Sequence, residues 1–245
     1  MKEHFHGLPS KFFEDRFGYQ ATFIVQAPGR VNLVGEHIDY SLLPVLPMAI
    51  QLRTTLTVRP REDCHVRLVN AKKSYSDIEL ELSTDLEPGP TSDWGDYARG
   101  AAQALVREYG ITVGADIAVE SNLPVAAGLS SSSALSCGVA LALLTANGHN
   151  VDRVELAEVM AEAEQYTGTR GGGMDQAVIL CARGGSALGV SFAPLQIREA
   201  EVPEDWVFLV TYSGVVAEKS GAAQATYNAR TRECRAALQT IWAKV

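Results

Sequence analysis

The sequence has no block of Lys or Arg, no Cys-x-x-Cys pair, no internal repeat and no tract of low complexity. Each absence removes a class of function. With 21 Lys+Arg against 29 Asp+Glu and a formal net charge of −8, the chain lacks the basic face that a nucleic-acid binder needs. Cys64, Cys137, Cys181 and Cys234 are scattered, which fits neither a zinc cluster nor a disulfide scaffold and predicts reduced thiols in a cytoplasmic protein. The longest apolar run, ALSCGVALALL at 134–144, is too short to cross a bilayer, so no membrane partner is expected. The opening MKEHFHGLPSKFFEDRFG has no apolar core of the kind that marks a secretory signal.

What remains is a chain of 245 residues, 47% hydrophobic and 20% charged, an ordinary balance for a soluble protein with a sizeable core. Ser10 before KFFEDRFG predicts a short capped helix ended by Gly18. Strands are predicted at 21–27, 49–60, 65–71 and 77–83 from β-branched residues and period-two alternation, giving an antiparallel sheet with one solvated face. Residues 94–110 read as a helix, 115–121 as a strand, and 132–146 and 152–166 as two helices. Further strands are expected near 185–191, 195–202 and 206–212, with Gly184-Gly185 as a hairpin turn, and a helix over 220–243 that has no terminating Gly or Pro.

Three stretches carry chemistry. In APGRVNLVGEHIDY (27–40), Arg30, Glu36, His37 and Asp39 alternate with Val31, Leu33, Val34 and Ile38, a pattern that suits the wall of a polar pocket better than a free loop or a core strand. NLPVAAGLSSSSALSCGVALALL (122–144) places a strand end, a Gly/Ser loop and a helix start in succession. The free N–H groups there and the hydroxyls of Ser130–Ser133 could cradle a phosphate, and a serine can ligate Mg2+ without adding charge. No Gly-Lys-Ser/Thr follows, so the loop is not a Walker A motif; from the loop alone a polar turn with a serine N-cap reads as well, although four serines in a row exceed what capping needs. In GTRGGGMD (168–175), glycines permit close backbone approach and Asp175 follows directly. That carboxylate could orient a hydroxyl or take its proton, with Glu164 on the preceding helix in reach of a metal; taken alone, a surface turn with an Asp cap is the better reading, and the company of the other two stretches reverses it.

Taken together, the stretches are similar to a known family. APGRVNLVGEHIDY resembles the galactokinase signature, and VAAGLSSSSAL resembles the phosphate-binding motif of the galactokinase, homoserine kinase, mevalonate kinase and phosphomevalonate kinase (GHMP) superfamily. VLPMAI (45–50), GGGMDQ (171–176) and YNARTREC (227–234) extend the resemblance along the chain, and GTRGGGMDQ looks closer to the N-acetylgalactosamine kinase branch. The resemblance implies an α+β, two-domain GHMP architecture, with residues 1–190 as the N-terminal domain and 191–245 as the start of a truncated C-terminal one. It implies a cytoplasmic, ATP- and Mg2+-dependent sugar 1-kinase acting on galactose or N-acetylgalactosamine; a sugar/ATP sensor and an inert fragment are the alternatives.

The implied roles follow residue by residue. Asp175 faces the anomeric hydroxyl and Arg30 pairs with it. Glu36, His37, Asp39, Gly172 and Tyr227 hold the sugar. Gly128, Leu129, Ser130, Ser131, Ser132 and Ser133, with Trp94 and Tyr97 beside the adenine, hold ATP; Ser132 and Glu164 ligate Mg2+. Trp94 has simple core packing as its lesser alternative, and Tyr227 reads equally well as a packing residue. Ser41-Leu42-Leu43-Pro44 departs from the usual Asn-Gly-Gly after the signature, beside the sugar site.

Overall fold

The computed structural model describes residues 10–90, 93–169, 171–211, 213–214 and 222–242, and side chains of all of these except 222–227 and 235. The fold is α+β. Its centre is a five-stranded sheet in the order β1-β2-β5-β3-β4, built from β1 (Phe23–Val34), β2 (Leu46–Pro60), β3 (His65–Asn70), β4 (Ile78–Glu81) and β5 (Ala115–Ser121).

The sheet is mixed and covered on both faces near its middle, contrary to the antiparallel, half-solvated sheet expected. β3 runs parallel to β5, and the first five residues of β5 are all buried. Leu56, Val58, Ile117 and Val119 point into the main core, whereas Val69 and Ala118 meet Phe13 on the other side. Phe13 belongs to α1 (Lys11–Phe17), started by Ser10, whose hydroxyl accepts from the Phe13 amide, and ended by Gly18 at φ 79°. Two carboxylates of β5 pin this helix segment down: Ser10 donates to Glu120 at 2.6 Å and Tyr19 donates to Asp116.

The inner face carries α2 (Asp96–Tyr109), α3 (Ser131–Ala146), α4 (Arg153–Ala163) and α5 (Met174–Cys181). α3 is apolar all round and buried from Ser133 to Ala140, as a helix enclosed by a sheet and other helices must be. Asp152 caps α4 by accepting from Val154 N and Glu155 N. The helix tightens at Glu164–Thr167 into a 3-10 turn ended by Gly168, rather than continuing to 166 as an α-helix. α5 was not expected, because its residues Met174–Leu180 are all buried and show no polar face to reveal a period.

β6 (Ser186–Ser191) and β7 (Gln196–Glu201) form a separate two-stranded sheet. A bridge between Val45 and Val190 joins it to the chain just before β2. Residue 190, the expected domain division, lies inside β6. Gly184-Gly185 makes the turn from α5 into β6 and not a hairpin. The strand expected at 206–212 does not form among the described residues 206–211, which find no neighbouring strand to pair with and leave Val207 and Leu209 about nine-tenths exposed. α6 (Ala222–Trp242) is the last element, and among the described residues no helix is long and apolar enough to cross a membrane.

β1 is longer than expected and this extension positions the site. Its second half stays paired with β2, with register shifts between Pro28 and Arg30 and between Asn32 and Val34. At the first shift Gly29 lets the strand press against the loop before α3: Arg30 N donates to Leu129 O at 3.2 Å. A Cβ on Gly29 would lie 2.3 Å from Leu123 Cδ2 and 2.9 Å from Leu129 O. Gly29→Ala is therefore expected to cost about 1–3 kcal/mol of stability, the range for forced overpacking, and to displace the loop from β1. Denaturant unfolding checks the first effect; an unchanged midpoint would contradict this contact.

Candidate active site

The second half of β1, the loop 122–130 and the N-termini of α3 and α5 enclose a cavity of about 520 Å³. Arg30, Glu36, His37, Asp39, Trp94, Tyr97, Gly128, Leu129, Ser130, Ser131, Ser132, Glu164, Gly172 and Asp175 all line it. The three stretches singled out in the sequence thus converge on one space. Two residues of the expected set are not among its lining. Ser133 turns inward and is 1% exposed, and the side chain of Tyr227 lies outside the described residues.

At the centre Arg30 Nε donates to Asp175 Oδ1 at 2.6 Å, and Arg30 Nη1 donates to the Gly128 carbonyl at 2.6 Å. Arg30 and Asp175 are each 8% exposed. Burial alone would lower the Arg30 pKa, but the charge and hydrogen bond of Asp175, with Glu36 and Asp39 nearby, outweigh it and hold the value above that of a free arginine. The guanidinium is therefore a fixed positive charge. Asp175 sits in the first turn of α5, where helix N–H groups favour an anion. Its other oxygen, Oδ2, accepts from Ser130 Oγ at 2.5 Å and lies 3.4 Å from Ser133 Oγ.

Ser130 reaches Asp175 because it stands at the N-cap of α3 in the left-handed region, φ 57°, a conformation that costs a non-glycine residue about 1–3 kcal/mol and gathers at functional sites. It makes no capping hydrogen bond with its side chain, so the simple-cap reading of this serine is excluded. Beyond it, Glu164 is 9% exposed and fixed at both oxygens: Oε1 accepts from Ser133 at 3.3 Å and Oε2 from Gln176 Nε2 at 3.2 Å. The Tyr97 phenol pKa is raised by burial and then by the Glu164 charge, with the nearby Ser132 hydroxyl acting the other way.

The opposite end of the cavity is built by the turn after β1. Asp39 opens a short 3-10 turn, Asp39–Ser41, and accepts from Gly172 N at 3.1 Å. The two backbones touch so closely that a Cβ on Gly172 would fall 2.2 Å from Asp39 C. His37 adopts φ 60°. Glu36 accepts from Asn32 Nδ2 at 3.1 Å.

At the far end Trp94 donates from Nε1 to the Ser76 carbonyl at 2.8 Å and packs on Tyr75, ring centres 5.6 Å apart. Trp94 is both core and cavity wall. Sequence reasoning missed Tyr75 and Gln176. Tyr75 lies in a polar loop without a motif, and Gln176 follows Asp175 on the helix that the sequence concealed.

A family model described as the galactokinase galactose-binding signature matches residues 11–60, and one described as the GHMP kinases N terminal domain matches residues 96–183. Among solved structures, Lactococcus lactis galactokinase complexed with galactose is similar at 28% identity and a TM-score of 0.80, over 96% of this chain and 61% of that one. Methanococcus jannaschii mevalonate kinase shares 21% identity at a TM-score of 0.62, over 74% of this chain and 56% of that one. A D-glycero-D-manno-heptose 1-phosphate kinase from Bacteriodes thetaiotaomicron shares 19% identity at a TM-score of 0.60, over 71% of this chain and 58% of that one; these last two show the fold alone. The chain spans 61% of the length of the galactokinase it matches. The two family regions lie in the order of their motifs on one cavity wall and the next, and the chain belongs to the galactokinase family of GHMP kinases.

Proposed function

We propose that this chain serves an ATP-dependent transfer of phosphate to the anomeric hydroxyl of galactose. The observation that carries the reading is the buried Arg30–Asp175 pair, set where the galactose-signature strand meets the serine loop. The galactose-binding signature over residues 11–60 favours galactose over the N-acetylated sugar.

A hexose presents several hydroxyls that both donate and accept. Glu36, Asp39 and His37 offer fixed acceptors and a ring nitrogen of either role on one wall of the cavity. Gly172 brings the aspartate loop against that wall, so that Asp175 meets the sugar from a fixed distance. Asp175 orients the attacking hydroxyl and accepts its proton, while Ser130 and Arg30 hold the carboxylate in one rotamer. Arg30, charged throughout, also offsets negative charge on the transferring phosphoryl group, the electrostatic part that dominates such reactions. The amides of Gly128–Ser132 and the N-terminus of α3 suit the phosphates of ATP, and Trp94, Tyr97 and Tyr75 give the base an aromatic surface.

Glu164 and Ser132 fit Mg2+. Both supply hard oxygens at the cavity wall, and a single protein carboxylate completed by phosphate oxygens and water is how this ion is usually held. Bound there, Mg2+ would neutralise phosphate charge.

Asp175→Ala and Asp175→Asn are expected to reduce galactose-dependent ADP release by roughly 10²–10⁴-fold, the worth of a positioned acid–base group, with nucleotide binding retained. Both changes remove the charge that balances Arg30, but the Asn variant keeps the shape of the site and an oxygen that accepts from Arg30; appreciable turnover by either sinks the assignment. Ser132→Ala and Glu164→Gln should each raise the Mg2+ concentration needed for half-maximal rate, and an unaltered metal dependence in both would remove them as ligands. Gly172→Ala should weaken galactose binding by roughly fivefold or more, because a clash worth about 1–3 kcal/mol must part the two loops; calorimetric titration with galactose reads this, and an unchanged affinity contradicts it.

A further inference from the structure

Ser133 is the one serine of the run 130–133 that does not line the cavity. It is 1% exposed, in the first turn of α3, and its hydroxyl lies between two carboxylates: 3.3 Å from Glu164 Oε1 and 3.4 Å from Asp175 Oδ2. A serine has a single proton to donate, so it can make only one of these bonds well at a time. Both distances are several tenths of an ångström longer than the usual O–H···O bond of about 2.7–2.8 Å. The hydroxyl is therefore slack between two nearly equal acceptors, and a small shift makes one bond good at the expense of the other.

The two acceptors serve different ligands under the galactose-kinase reading, on which this inference rests. Glu164 belongs to the metal–nucleotide end and Asp175 to the sugar end. We propose that Ser133 is a positioning residue that couples the two ends, its hydroxyl turning its hydrogen bond from Glu164 to Asp175 when Glu164 is engaged by a cation. With Glu164 engaged, its Oε1 attracts the Ser133 proton less. The proton then joins Ser130 in fixing Asp175 Oδ2, and the carboxylate is oriented before the sugar arrives. Gln176 Nε2, at 3.2 Å from Glu164 Oε2, keeps Glu164 in place throughout. No covalent bond changes; one hydrogen bond is exchanged for another. By linkage the effect is reciprocal: metal–nucleotide tightens sugar, and sugar tightens metal–nucleotide by the same factor.

The test is calorimetric titration of galactose into the full chain, with and without saturating Mg·ADP, which permits no turnover. The unmodified chain is expected to bind galactose roughly fivefold or more tightly when Mg·ADP is present, the lower end of ordinary coupling between sites. Ser133→Ala should bind galactose alone and Mg·ADP alone as before and lose that factor. Ala favours the helix in which it stands, and the retained single-ligand affinities report that the site is intact. Ser133→Cys, a poor donor of similar shape, should lose the factor too and serves if the Ala variant does not fold. A factor that survives in the folded variants, or that is missing in the unmodified chain, overturns the role of Ser133 alone. No galactose binding by the unmodified chain in either condition overturns the galactose reading and this inference with it.

Discussion

The buried ion pair between Arg30 and Asp175 is the interaction on which the site depends. The two residues are 145 positions apart in the chain, one on the second half of β1 and the other in the first turn of α5. Neither charge is stable in that environment without the other, since a lone buried ion costs several kcal/mol. The pair therefore demands that strand and helix be placed together, and the rest of the fold answers that demand. The mixed sheet carries β1, the apolar α3 packs beneath its serine loop, and α4 and α5 close the other side. Arg30 also reaches the Gly128 carbonyl, so a single side chain gathers the signature strand, the serine loop and the aspartate loop.

Close backbone approach at two glycines makes this assembly possible. Gly29 lets β1 lie against Leu123 and Leu129, and Gly172 lets the aspartate loop lie against Asp39. Neither position has a positive φ, so it is space and not backbone freedom that selects glycine there. Strain is found at other positions, among them Ser130 and His37, both in the left-handed region without being glycine. One presents a hydroxyl to Asp175 and the other lines the same cavity. The polar face of the site is thus held by a hydrogen-bond network in which Asp175 and Glu164 are each bonded at both oxygens, the arrangement that makes buried polar groups rigid rather than costly.

Much of this was legible in the sequence, for physical reasons that differ from residue to residue. Charges interleaved with apolar residues at 27–40 announced a cavity wall, because no other environment satisfies both kinds of side chain. Gly-Leu followed by four serines announced the start of a helix, which the fold places at the cavity wall. The direction of Ser133 was not legible, since four identical residues in a row carry no phase; only the helix geometry turns three toward the cavity and one toward Glu164 and Asp175. α5 was hidden because a helix buried on every side has no period to detect. The parallel pairing of β3 with β5 was equally hidden, being a property of the crossover and not of either strand. At 206–211 the strand pattern is genuine but unpaired among the described residues, and alternation alone cannot supply a neighbour.

The central claim is that the Arg30–Asp175 pair organises a site for phosphorylating the anomeric oxygen of galactose. Its most direct test is phosphorus NMR of the product formed from ATP and galactose by this chain. The account predicts a sugar-dependent phosphate monoester coupled to the anomeric proton, formed in step with ADP. A phosphate on any other hydroxyl, or ADP formed at the same rate without sugar, would contradict it.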